Sequence, residues 1–158
     1  MSNSRIRICQ FFKLEPANGR DPYYYQNFFI GQDRSFRGNS YAFAPFQADG
    51  ALSSLNGENQ QMRVLFPSLE IVLRLVEAAD GNRLSELELT TAWLADRSNQ
   101  IVNTFTDFFV GTGATFNEDT VELRFRSAMD SVGASFPARA FTSDNAGILP
   151  LNAELYLQ

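Results

Sequence analysis

In six consecutive residues, Val121 to Arg126, apolar Val121, Leu123 and Phe125 alternate strictly with charged Glu122, Arg124 and Arg126. A period of two sends the two sets to opposite sides of an extended chain, so the stretch predicts a β-strand with one buried and one wet face. The pattern recurs. Leu87, Leu89, Thr91 and Trp93 alternate with Glu86, Glu88 and Thr90, and Arg5 to Lys13 alternates as Ile6, Ile8, Gln10 and Phe12 against Arg5, Arg7, Cys9 and Phe11. Of the 21 aromatic residues, 11 fall in the first 46 positions, a density that favours strands over helices.

Between these strands the punctuation is equally local. Glu15 to Pro22 is a run of turn formers and predicts an exposed loop. YYYQNFFI and SYAFAPF predict two strands joined across GQDRSFRGN, as a hairpin or meander, with Gly31 and Gly38 available for positive φ. QQMRVLFP predicts a strand with Met62, Val64 and Phe66 on one side and Pro67 at its end. Ser68 is an N-cap for a helix from Leu69 to Ala79, whose stripe is Leu69, Val72, Leu73 and Val76 and whose stop is Gly81. Thr104 to Phe116 predicts a longer strand with a bulge or bend at Gly111 and Gly113, then a turn at Asn117 to Asp119 and an antiparallel hairpin with Val121 to Arg126. The acidic wet face at Glu86 and Glu88 is expected near the basic one at Arg124 and Arg126. The fold class is therefore all-β: a small antiparallel β-barrel or sandwich with one short α-helix over 69–79, in a single domain over 1–158.

Composition removes most chemistry. A formal net charge of -5 opposes a protein that neutralises a nucleic-acid backbone, and no apolar run is long enough to cross a bilayer, so neither nucleic acid nor membrane is an expected partner. The first residues lack the apolar core of a secretory signal, which predicts a protein that stays where it is made. There is no histidine and Cys9 is the only cysteine, so no cofactor and no metal site is expected. Paired carboxylates such as Glu86 and Glu88 share a strand face about 7 Å apart, a glycosidase-like spacing. Asp119 and Glu122 are a second such pair. That alternation is also the solvent face of any antiparallel sheet, and no catalytic residue or enzyme activity is expected. The cations are 12 arginines and Lys13 alone, a balance suited to planar pairing at interfaces. Tyr23, Tyr24 and Tyr25 are adjacent, so outward rings among them are predicted to supply an interface or a stacking platform.

Three segments, FRGNSYAFAPF (Phe36 to Phe46), MRVLFPSLEIVLRLV (Met62 to Val76) and LRFRSAMDSVGASFPARAF (Leu123 to Phe141), occur in an order and spacing that resembles phage tail-tip and baseplate hub proteins related to the minor tail protein L of lambda-like phages. The resemblance implies a small β-barrel that oligomerises as a ring, trimeric or hexameric, joining the tail tube or distal tail ring to the central hub or spike. It implies a virion protein assembled in the host cytoplasm. Longer relatives continue into a cysteine-bearing iron–sulfur region. Here Thr142, Ser143 and Asp144 follow Phe141 with no cysteine, so the resemblance covers the barrel module alone. The residues assigned to assembly are Tyr23, Tyr24, Tyr25, Arg124, Arg126, Phe136 and Arg139. The alternative reading is a carbohydrate-binding β-sandwich module in which the tyrosines stack on sugars.

Overall fold

The computed structural model describes residues 6–50 and 61–128. The elements, in chain order, are β1 (Arg7–Glu15), β2 (Tyr23–Gln26), β3 (Arg34–Phe36), β4 (Asn39–Phe43), β5 (Gln47–Asp49), β6 (Gln61–Pro67), α1 (Glu70–Ala78), β7 (Arg83–Leu94), β8 (Ile101–Phe116) and β9 (Thr120–Ser127). The all-β class with one helix holds. The strands make one nine-stranded sheet, ordered β3-β4-β2-β1-β7-β8-β9-β6-β5, which is not closed. Every pairing is antiparallel except β2 with β4.

The sheet is rolled. Phe12 on β1 and Phe66 on β6 are four strand spacings apart, about 19 Å in a flat sheet, yet their ring centroids are 5.4 Å apart. The roll encloses the main core, in which Phe12, Leu14, Leu87 and Leu89 meet Met62, Val64, Phe66, Val121, Leu123 and Phe125. The period-two sets predicted for β6 and β9 therefore point inward as expected. The helix adds Val72, Leu75, Val76 and Ala79 to this core.

Two details of the helix differ from the sequence reading. Ser68 does not cap it: the N-cap is Leu69, with no side-chain cap, and the Ser68 N–H instead donates to the Asp119 carbonyl in the β8–β9 turn. The core stripe is Val72, Leu75 and Val76 rather than one including Leu69 and Leu73, which are both more than two-fifths exposed. At its other end the Asp80 N–H donates to Glu77 and the Gly81 N–H to Val76, a Schellman motif that satisfies the last carbonyls. Gly81 and Asp80 both take positive φ, so the predicted stop is where the sequence puts it.

A second core lies on the other face of the same sheet. Cys9, Phe11, Ala92, Leu94 and Tyr41 form it, with Tyr24, Phe28, Phe29 and Phe36 packed against them. The β3–β4 ribbon covers this face: Phe36 stacks on Phe11 at 4.2 Å, and Tyr41 meets Phe11 edge-on at 5.0 Å. Its two-residue turn, Arg37 and Gly38, has positive φ at both positions, as a primed hairpin turn requires.

That ribbon corrects the expected hairpin between YYYQNFFI and SYAFAPF. The buried Gln26 ends β2, because its Oε1 accepts from the N–H of Phe28 and Phe29 while its Nε2 donates to the carbonyls of Phe29 and Gln32. The chain turns away, β3 is inserted, and β4 returns parallel to β2. Trp93 is also reassigned. It shares the face of Leu87 and Leu89, but the main core ends at Leu89, so Trp93 is 47% exposed while Ala92 and Leu94 are buried opposite.

The predicted glycine bulge in β8 is present, between Gly111 and Gly113. Asn82, fully buried with φ 63, holds it from the β7 side: its Nδ2 donates to the carbonyls of Gly113 at 3.2 Å and Arg124 at 3.1 Å. A methyl group at Gly111 would sit 2.1 Å from the Asn82 carbonyl oxygen. Backbone is less able to yield than a side-chain end, so Gly111→Ala is expected to cost about 3 kcal/mol, the upper part of the overpacking range. Urea denaturation of the variant checks this, and a loss within error would show that the bulge relaxes freely.

Candidate assembly surface

The three tyrosines are not an outward platform. Tyr25 is buried in the main core against Phe12 and Phe66, and Tyr23 packs beside it on the same face. Tyr24, on the opposite face of β2, lies edge-on to Tyr41 at 5.2 Å in the second core. Adjacent tyrosines can all pack because both faces of β2 are covered, a circumstance the sequence reading did not allow for. Phe136 and Arg139 lie outside the described residues.

Arg124 and Arg126 do lie exposed on one face of β9, and they make no ion pair among the described residues. Their expected acidic neighbours are one strand too far away. Glu86 pairs in register with Val110, and Val110 with Arg126, so Glu86 and Arg126 share a face at two strand spacings, about 10 Å. Glu88 is held instead by Arg37 at 3.1 Å and Lys13 at 3.8 Å. Lys13 also bridges to Glu15 at 2.6 Å, and that hydrogen bond is the main reason its ammonium is held above the usual lysine range. Lys13, Glu15, Glu86 and Glu88 line a cavity of about 490 Å³ with Phe108 and Val110. Among the described residues no group of three or more histidine, cysteine or acidic residues is placed to hold a metal ion.

The surface that the sequence reading missed is apolar. Ile8, Trp93 and Phe105 are exposed and share one face of neighbouring strands, since Ile8 pairs with Trp93 and Phe105 with Thr91. Val102 and Phe108 are exposed on the other face of β8, and Leu69, Ile71 and Leu73 along α1. Alternation alone marks these residues as one side of a strand or helix and cannot say which side stays uncovered. Among the described residues no helix is long and apolar enough to cross a membrane. The chain matches no protein-family model and no curated protein sequence.

Burial has a consequence for alkaline stability. Cys9 is pushed up from 9.0, and Tyr25 and Tyr41 from 10.0, each to about 12, and desolvation is the leading cause in every case. The folded state favours the neutral forms, so stability is complete below the unfolded values and falls as pH rises from about 9 towards 12. The urea midpoint is expected to drop between about pH 8 and about pH 11, with a shallower slope for Tyr41→Phe. A flat profile would show that these groups ionise without unfolding.

Proposed function

We propose that this chain is a structural subunit of a bacteriophage tail tip or baseplate hub. It forms a homo-oligomeric ring, trimeric or hexameric, that joins the tail tube or distal tail ring to the central spike. The observation that supports this reading best is the amount of large apolar surface left outside two well-filled cores: Ile8, Trp93, Phe105, Val102, Phe108 and the outer side of α1. Large apolar side chains left exposed in this number are a mark of protein contact, and both faces of the sheet and the helix carry them. Exposed Arg124 and Arg126 add planar donors suited to carboxylates of a neighbour.

Two of the three segments behind the hub resemblance have defined roles in the domain, and the third is described only as far as residue 128. FRGNSYAFAPF includes the turn and β4 of the ribbon over the second core, and MRVLFPSLEIVLRLV is β6 with most of α1. The carbohydrate-binding reading rested on outward rings at Tyr23 to Tyr25, and those rings are packed inward. The purified chain, mixed with tail-tube and neighbouring tail-tip proteins, is expected to co-sediment with them and to give rings in negative stain. A chain that binds none of them, and instead binds glycans, would overturn the proposal.

A further inference from the structure

Two cross-strand pairs of like charge stand on the outer side of the sheet, one of each sign. Arg63 on β6 lies in register with Arg124 on β9, and Glu15 on β1 lies in register with Glu86 on β7. All four point outward, since their chain neighbours Val64, Leu123, Leu14 and Leu87 point into the main core. Like charges directly opposite one another on adjacent strands destabilise a sheet. In each pair one member finds a counter-ion in its own chain. Arg63 meets Asp49 at 3.4 Å and Glu122 at 3.9 Å, and Glu15 meets Lys13 at 2.6 Å. The other member, Arg124 or Glu86, is exposed and makes no ion pair among the described residues.

The roll sets these pairs on different walls. The strands run in the order β1-β7-β8-β9-β6, and Phe12 of β1 touches Phe66 of β6 across the core. β1 with β7 is therefore one wall, β9 with β6 is the other, and β8 forms the base between them. The acidic pair and the basic pair each sit on adjacent strands, so both have a spacing of about 4.8 Å. We infer that the basic pair of one copy docks on the acidic pair of the next, with Arg124 against Glu86 of that copy. Arg126, two residues further along the same side of β9, gives a second planar donor for the same carboxylates. A two-fold contact of either wall with itself sets arginine on arginine or glutamate on glutamate, so the charges select the head-to-tail mode. Head-to-tail contacts between different faces close into rings when the rotation permits. The inference rests on the ring-forming role proposed above and names the faces that make the ring.

Sedimentation of the full chain is expected to show an assembly larger than one chain. Arg124→Glu and Glu86→Arg are each expected to raise the concentration needed for it at least about tenfold, because each sets like charges across the contact. Neither is expected to lower the urea midpoint, since each turns a like-charge pair within the chain into an opposite one. Mixed one to one, the two variants are expected to associate again, because each then offers the other a complementary wall on both sides. If either variant fails to fold, Arg124→Gln and Glu86→Gln remove the charges alone and are expected to weaken assembly in the same direction. A monomer at every concentration, full assembly of both reversed variants, or a mixture no more associated than either variant alone would overturn the inference. So would a loss confined to Arg124→Glu, which would assign the basic wall to a different protein. Rings that survive both reversals and bind tail-tube protein remove this contact alone. Rings lost on reversal and regained on mixing, from a chain that binds no tail protein, keep the contact and remove the tail-tip role.

Discussion

Phe11 and Phe12 are consecutive, and both are fully buried, on opposite faces of β1. A strand can bury two successive side chains only if something covers each face, so this pair commits the chain to two layers of packing around one strand. The roll of the sheet supplies one cover, bringing Phe66 and Phe46 to Phe12. The β3–β4 ribbon supplies the other, bringing Phe36 and Tyr41 to Phe11. Removing either cover would leave a large aromatic face in water, worth about 1.5–3 kcal/mol for each such side chain.

β7 follows β1 through the same change of side. Leu87 and Leu89 lie opposite Leu14 and Phe12 in the main core, and Ala92 lies opposite Cys9 in the second. At the crossover, the buried Thr90 meets Thr106 of β8 hydroxyl to hydroxyl at 2.9 Å, which satisfies a polar group set opposite Phe11. The same arrangement explains the surface. Past Leu89 the inner face has left the main core, so Trp93, Ile8 and Phe105 continue an apolar face that nothing in the described chain covers. The exposed apolar face is thus a geometric extension of the core.

The polar side chains that shape the fold act on the backbone. Gln26 turns the chain out of β2 through four hydrogen bonds, and Asn82 ties the end of the helix to both sides of the β8 bulge. Both are fully buried, and each satisfies groups that irregular backbone would otherwise leave without partners. Neither stands out in sequence, because an amide side chain between hydrophobic runs reads as turn or surface until its partners are known.

Strand content, the single helix, the β8 bulge and the β8–β9 hairpin were legible in the sequence, because alternation and glycine spacing act over a few residues and need no knowledge of the rest. Met62, Val64 and Phe66 face inward as their spacing requires, and so do Val121, Leu123 and Phe125. Which side of a strand stays dry is a different matter. It depends on what the rest of the chain lays over that side, and this is why Tyr24 is packed, Trp93 is exposed, and Glu88 is bound by Lys13 and Arg37 rather than by the arginines of β9. The sequence alone determined the elements and their periodicity, since these are local properties of the chain. The order of strands and the roll that makes two cores were decided only by tertiary structure, since each rests on contacts between residues distant in the chain.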